Sequence, residues 1–325
     1  MSAEGLLSQE GPLRLGVFLV VLLVLKLSEL RWPRRGDGVW APRQLTNLVL
    51  LLLSNALLQL AVPVLAVGFA LSWEVQDLGL LPMLGLPVWA SVALAVVLMD
   101  LAIYGQHRAF HRVPLFWRLH RVHHSDLHFD ASLALRFHPL EMAASMLWKL
   151  AVIALLGAPA LAVLLFEIAL SAFALFSHAD LRLPPALDAK LRWVVVTPDV
   201  HRVHHAVDRV EHDHNYGFCL SVWDRLFGSW QEQPREGHVA MRIGLIDFRD
   251  PGEQRIGALL LQPFRTPRSG QPVMHGRQPQ PEHQQLDNLV GRAERVAGDA
   301  ADLADQPAAE QRGGGERQQP GGERQ

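Results

Sequence analysis

Apolar residues in this chain fall into long continuous runs separated by short polar connectors, the pattern of membrane helices rather than of the amphipathic helices of a soluble bundle. The first run covers residues 15–25 and is extended by Lys26 and Glu29, which are spaced to pair at i, i+3. Glu4 and Glu10 precede it in place of a basic segment and no small-residue cleavage site follows, so a first membrane helix fits better than a cleaved signal peptide. A second run at 45–71 is interrupted by Asn55, Gln59 and Pro63 at i, i+4 and i+8, which turns one polar face toward a helix bundle. A third run at 86–104 leads directly into His107. Spans of about 20 apolar residues are what a bilayer demands.

Two further runs, 139–156 and 160–176, are joined by Gly157-Ala158-Pro159 and read as a helical hairpin. Both arms are marginal in length and Lys149 lies inside the first, so the sequence leaves open whether the hairpin crosses the membrane or only dips into it. Arginines set the orientation. The connector after the first run holds Arg31, Arg34, Arg35 and Arg43, the connector 72–87 holds Glu74 and Asp77 but no Lys or Arg, and the stretch after the third run holds Arg108, Arg112, Arg118, Arg121 and Arg136. The positive-inside rule then places the polar stretch after the third run in the cytoplasm and the N-terminus outside. Residues 187–264 are mixed in polarity and are expected to form a cytosolic cap of helices and loops. From 269 to 325 the composition shifts to Gln, Gly, Pro, Glu and Arg, which leaves too little apolar surface to offset ordering; a disordered low-complexity tail is expected, with at most a short helix at 286–303. The predicted fold class is all-α: a polytopic membrane helical bundle with a cytosolic helical cap over residues 1–268, followed by the tail.

Composition supports this division. Half of the 325 residues are hydrophobic and only 19% are charged, below the roughly 25% usual for soluble proteins. The net charge of -2 and the lack of a basic stripe outside the histidine region argue against a nucleic-acid partner. Cys219, the single cysteine, excludes an internal disulfide and a thiolate metal site, and reads as a small buried hydrophobe.

Histidine carries the candidate chemistry. His107 and His111 stand four apart; His120, His123 and His124 follow; and the same His-x-x-His-His spacing returns at His201, His204 and His205. Positions i, i+3 and i+4 share one helix face, so each cluster aims its ring nitrogens in one direction. An isolated histidine is ordinarily a satisfied polar residue. Eight in three clusters would make a poor core, because each ring brings a polar nitrogen that must find a partner, whereas neutral imidazole is a common ligand for iron and zinc. His138 and His178, at the two ends of the hairpin, lie on the same side and are the natural ninth and tenth ligands. Asp100 precedes His107 by seven residues and Glu167 precedes His178 by eleven, so each shares a helix face with a ligand. They are expected either to accept an imidazole N–H and orient the ring, or to pair with a nearby arginine. Glu141, Glu211 and Asp213 are candidates for similar work near the surface. Arg108, Arg121 and Arg202 are expected to anchor helix ends to anionic headgroups rather than to bind a substrate phosphate.

The order HxxxH, HxxHH, HxxHH on a polytopic chain resembles the fatty acid hydroxylase and sterol desaturase superfamily of membrane-bound non-haem di-iron oxygenases. Arg136-Phe137-His138-Pro139-Leu140-Glu141, the segment from Ser177 to Pro184, Asn215-Tyr216-Gly217 and the segment from Trp223 to Gly228 resemble family landmarks as well. The likeness covers residues 15–264, and His214 sits where family members vary, so it is not counted as a ligand. The resemblance implies two iron ions, with zinc as a substitute, and dioxygen as co-substrate. It also implies a lipid substrate, fatty acyl, sterol-like or related, that is hydroxylated or desaturated at the membrane face. No flavin or nucleotide-binding glycine motif appears, so electrons are expected from a separate donor protein. A membrane zinc hydrolase is weakened by the lack of HExxH, and a metal carrier by histidines that gather on one face rather than at the midplane. The expected location is a bacterial inner membrane or an ER-type membrane. Reporter fusions near Gln76 should read as outside and fusions near Asp188 as cytoplasmic; a cytoplasmic signal at Gln76 would sink this topology.

Overall fold

The apolar runs of the sequence become helices, single ones except for the run 45–71, which is shared by two. The computed structural model describes residues 3–36, 41–62 and 65–267; Pro63, the tail 269–325 and the short helix expected at 286–303 lie outside them. Among the described residues the regular elements are helices, with isolated bridges but no strand. A short α1 (Ala3–Leu7) is followed by α2 (Glu10–Arg31), α3 (Ala41–Ala61), α4 (Ala66–Glu74) and α5 (Val88–Arg112). One extended residue, Val113, then separates α5 from α6 (Pro114–His124). Pro114 explains the break, since it lacks an N–H to continue α5 and its fixed φ starts a new helix. The hairpin is α7 (Pro139–Leu156) and α8 (Ala160–Ser177), and the cap consists of short helices: α9 (Pro185–Leu191), α10 (Pro198–His204), α11 (Arg209–His212), α12 (Val222–Leu226), α13 (Gly237–Ala240) and α14 (Ile256–Leu261).

Among the described residues, four stretches are long and apolar enough to cross a membrane: Pro42–Glu74, Val88–Arg112, Pro139–Leu156 and Ala160–Ser177. The first predicted span does form a helix, α2, but it is not one of the four. Charged side chains near both its ends turn to protein partners: Arg14 Nη1 lies 3.0 Å from Glu167 Oε2, and Lys26 Nζ lies 2.6 Å from Glu29 Oε2 and 3.2 Å from Asp130 Oδ2. The core of the bundle joins Val67 and Ala70 of α4, Met99 of α5, Ile153 of α7 and Phe166 of α8.

The hairpin reaches as far as its neighbours. Its tip pairs with the connector between α4 and α5, where the Leu80 and Leu81 amides donate to the carbonyls of Leu155 and Leu156 at 3.0 and 2.8 Å. A Cβ on Gly79, whose φ is +118, would lie 2.3 Å from the Gly157 nitrogen, and one on Gly157, whose φ is +62, would lie 2.3 Å from the Leu78 carbonyl oxygen. Only glycine permits both this backbone conformation and this approach.

At the other end, α2 and α3 bring charge to the loop that follows α6. Arg43 Nε donates to Asp126 Oδ1 at 2.7 Å and its Nη2 to Asp130 Oδ1 at 3.0 Å, while Glu29 Oε1 accepts from the amides of Ala131 and Asp180 at 2.7 and 2.9 Å. Arg121 and Arg202, expected to reach headgroups, are instead almost fully buried. Arg121 donates to the Gln262 and Arg265 carbonyls, and Arg202 pairs with Asp199 over the Phe129 ring.

The glycine contact at the hairpin tip generates a test of the fold. Gly79→Ala adds overpacking, about 1–3 kcal/mol, to a strained positive-φ backbone, again about 1–3 kcal/mol. Thermal unfolding in detergent should shift down by several degrees, whereas Gly16→Ala, with open space around its Cβ inside α2, should be neutral or stabilising.

Candidate metal centre

Four helix segments converge to build the site. His107 and His111 come from the last two turns of α5, His120, His123 and His124 from α6, His178 from the residue that caps α8, and His201, His204 and His205 from α10 and its C-cap. Ring nitrogens gather in two groups whose ligand atoms lie within 4.8 Å of one another: His107, His111, His120, His124 and His204 in one, and His123, His178, His201 and His205 in the other. All nine residues are buried. Burial holds His120 and His178 at about 3, and burial among other imidazoles holds His123, His124, His201, His204 and His205 well below the usual histidine range. These rings are therefore neutral at physiological pH, with one N–H and one lone pair each.

Hydrogen bonds decide which nitrogen keeps the lone pair. A carbonyl oxygen only accepts, so Nδ1 must carry the proton in His107, which donates to Tyr216 O at 2.9 Å, in His204, which donates to His214 O at 2.7 Å, and in His178, which donates to Ala174 O at 2.7 Å. An ionised Glu141 carboxylate would likewise accept from His120 Nδ1, 2.6 Å away. The Nε2 lone pairs of these four rings therefore point inward. His107 Nε2 and His120 Nε2 face each other at 3.1 Å, and the single lone pair of His178 Nε2 faces both His123 Nε2 at 3.1 Å and His201 Nε2 at 3.0 Å.

Opposed lone pairs repel, and one lone pair cannot serve two donors. A shared cation resolves both conflicts. Two nitrogens bound at about 2.1 Å and at right angles to one metal lie about 3.0 Å apart, which is the spacing found. Further buried nitrogens, His111 Nδ1 and Nε2, His124 Nε2, His204 Nε2 and both ring nitrogens of His205, have no hydrogen-bond partner among the described residues. The residues present fit two metal ions, and all-imidazole groups of five and four suit iron or zinc.

The remaining sequence candidates go elsewhere. His138 joins neither group; its Nδ1 accepts from the Leu140 amide at 3.1 Å as the N-cap of α7, and its Nε2 lies 3.2 Å from the Leu260 carbonyl oxygen. Asp100 touches no imidazole and accepts from the Cys219 and Leu220 amides and from Trp223 Nε1 at 3.2, 3.1 and 2.8 Å. Glu167 takes the arginine alternative, paired with Arg14 and with Lys149 Nζ at 2.6 Å. Glu211 accepts from the Arg235 amide at 2.7 Å, and Asp213 Oδ1 lies 3.4 Å from His111 Nδ1. His212, which spacing alone did not single out, forms a third group with His111 and Asp213 and stacks on Trp117 at 5.3 Å. The Glu-His-Asp-His run at 211–214 was its only sequence signal.

A bundle of apolar helices that carries a buried two-group imidazole centre at one end defines the class of protein. Residues 92–229 match the fatty acid hydroxylase family, so the chain carries a fatty acid hydroxylase domain. It is similar to the ornithine lipid hydroxylase OlsE of Rhizobium tropici, 33% identical over 202 residues that make up 59% of this chain and 55% of that protein. The alkylglycerol monooxygenases of Homo sapiens and Danio rerio are 31% and 32% identical over 50% and 42% of this chain, and over 34% and 30% of their own lengths. The chain thus spans about half or less of these relatives. No solved structure matches it.

The geometry fixes an expected metal count. Purified protein should hold about two metal ions, and removing one imidazole opens a coordination position at one of them. His107→Ala or His204→Ala should empty the five-histidine position and His123→Ala the four-histidine one, whereas His138→Ala should keep both metals. Glu141→Ala should weaken the first position roughly 10–100-fold. Unchanged metal content in all three ligand variants would refute the metal centre.

Proposed function

We propose that this chain is an oxygen-dependent lipid monooxygenase that holds two iron ions in its nine-imidazole centre and hydroxylates a lipid at the cytoplasmic face of a membrane. The observation that carries this reading is the inward convergence of Nε2 lone pairs at 3.0 to 3.1 Å in both groups. Five donors in one group exceed the three protein ligands of a hydrolytic zinc site, and neither group contains a carboxylate placed as general base. Iron bound there would supply the capacity to activate dioxygen and break an unactivated C–H bond of a lipid chain.

The chain's own residues keep the rings neutral, oriented and dry. Glu141 and the carbonyls of Tyr216, His214 and Ala174 hold four Nδ1 protons outward. Phe137 stacks on the His123 ring at 4.5 Å, and Trp117 lies 5.1 Å from the His111 ring, so aromatic faces shield both groups from water. In a hydroxylation one oxygen atom enters the C–H bond and the other leaves as water, which consumes two electrons and two protons. Among the described residues the only cysteine is the buried Cys219, so the electrons come from a separate donor. Hydroxylation is favoured over desaturation because relatives in different organisms are named lipid hydroxylase and monooxygenase. Residues 1–268 form the enzymatic domain and 269–325 a tail outside it. The arginine-poor connector 72–87 supports the cytoplasmic placement of the site.

The test is oxygen dependence. In lipid, with iron and an external reductant, turnover should stop without oxygen, and the hydroxyl oxygen of the product should derive from labelled dioxygen. Anaerobic turnover with zinc that incorporates oxygen from water would refute the oxygenase while leaving the metal centre standing.

A further inference from the structure

Two of the arginines expected to meet headgroups are internal ties, which directs attention to the basic groups that do reach the surface. A cavity of about 450 Å³ opens in the cap between α9 and α12, lined by Arg34, Arg182, Arg192, Arg225, Trp193 and Trp230 together with Asp188, Asp199 and Glu232. Two of its three carboxylates are already neutralised. Asp188 pairs with Arg192, and Asp199 is held by Arg34 at 3.2 Å and by the fully buried Arg202. Glu232 is mostly exposed and only 4.0 Å from Arg192. The exposed Arg182 side chain has no polar partner among the described residues. Arg225 is clamped between two indoles, 4.6 Å from the Trp193 ring centre and 3.5 Å from that of Trp230, and its polar contacts are Ser221 Oγ at 3.2 Å and a long one to the Ser221 carbonyl. A planar guanidinium fixed in this way keeps unused N–H groups in a set direction, which suits a phosphate.

The helix that carries Arg225 packs on a membrane-spanning helix. Trp223 Nε1 donates to Asp100 of α5 at 2.8 Å, and Phe227 stacks on Tyr104 of α5 at 5.4 Å, so the segment that carries Arg225 runs along that helix just below His107. Trp193, Val194 and Leu226 are 65%, 56% and 68% exposed, an apolar fringe that suits contact with acyl chains. We propose that this cavity binds the phosphate of an anionic phospholipid headgroup, with Arg182 and Arg225 as its principal donors and the apolar fringe against the lipid chains. The inference needs the membrane placement of α5 but not the chemistry of the metal centre.

The full chain in neutral detergent would be titrated with short-chain phosphatidic acid, short-chain phosphatidylcholine and glycerol 3-phosphate, with binding read by calorimetry. Phosphatidic acid should bind saturably and more tightly than the other two. Arg182→Glu, whose side chain has no partner to lose, and Arg225→Lys, which keeps the charge but loses the planar stack, should each weaken binding about tenfold. Lys190→Ala, outside the cavity, should bind as the parent does, and all three variants should keep the parental metal content. Equal binding by the parent and Arg182→Glu would overturn the proposal, as would phosphatidylcholine binding as tightly as phosphatidic acid. Glycerol 3-phosphate binding as tightly as the lipid would make this a site for a soluble phosphate and overturn the headgroup assignment.

Discussion

Nine neutral imidazoles buried side by side impose one requirement on everything around them: a ring that leaves its lone pair inside must send its N–H outward, and four of the nine meet a hydrogen-bond acceptor there. The acceptors found are mostly backbone carbonyls, and a carbonyl is only as fixed as its loop. The segment 214–217 that supplies two of them is accordingly held from two sides. Asp224 accepts from the Tyr216 and Gly217 amides, both at 2.8 Å, and from Ser229 Oγ at 2.7 Å, while Asp100 holds the next stretch through Cys219 and Leu220. Gly217 belongs to the same arrangement, since a Cβ there would sit 2.7 Å from both Asp224 Oδ2 and the Leu220 carbonyl oxygen. Thus Asp224 of the Trp-Asp-Arg-Leu-Phe-Gly landmark supports the candidate metal centre from outside, while Tyr216 of Asn-Tyr-Gly packs its ring against His107, His111 and His204.

The two groups are not equally supported. Three rings of the five-histidine group have their outer nitrogen bound to Glu141, Tyr216 O or His214 O, and a fourth, His111, has Asp213 at 3.4 Å. In the four-histidine group only His178 is so held, while His123 Nδ1, His201 Nδ1 and both nitrogens of His205 have no hydrogen-bond partner among the described residues. Outer hydrogen bonds fix ring orientation and raise ligand basicity. More rings of the five-histidine position than of the four-histidine one are thus oriented by outer hydrogen bonds.

Periodicity made the long helices and most of the ligand set legible. Spacings of three and four are a direct statement about one helix face, and the eight clustered histidines all reach the centre. The same reasoning left Asp100 and Glu167 between orienting a ring and pairing with an arginine; Glu167 takes the second role and Asp100 takes neither. A shared face fixes direction but not depth: Asp100 lies two turns below His107, at the level of Trp223, and Glu167 lies beside Lys149 in the bundle. His138 shows a different limit, because a histidine before a proline at a helix start has a local use as a cap that no count of imidazoles reveals. The carbonyl acceptors were invisible in principle, since every residue type carries one.

The arginines that hydropathy rules count as markers of sidedness also hold the site together. Arg35, between α2 and α3, donates to the carbonyls of His238 and Met241 at 2.8 and 2.9 Å and through its amide to Asp180, while Arg34 pairs with Asp199, two residues before His201. Arg43, at the start of α3, pairs with Asp126, two residues after His124. Breaking the buried Arg43–Asp126 pair costs about 3–5 kcal/mol. The connector after α2 must therefore sit on the same side as α6, α10 and the end of α8, whichever side of a membrane that is. Arginine asymmetry argues for which side; the ion pairs require that there be only one.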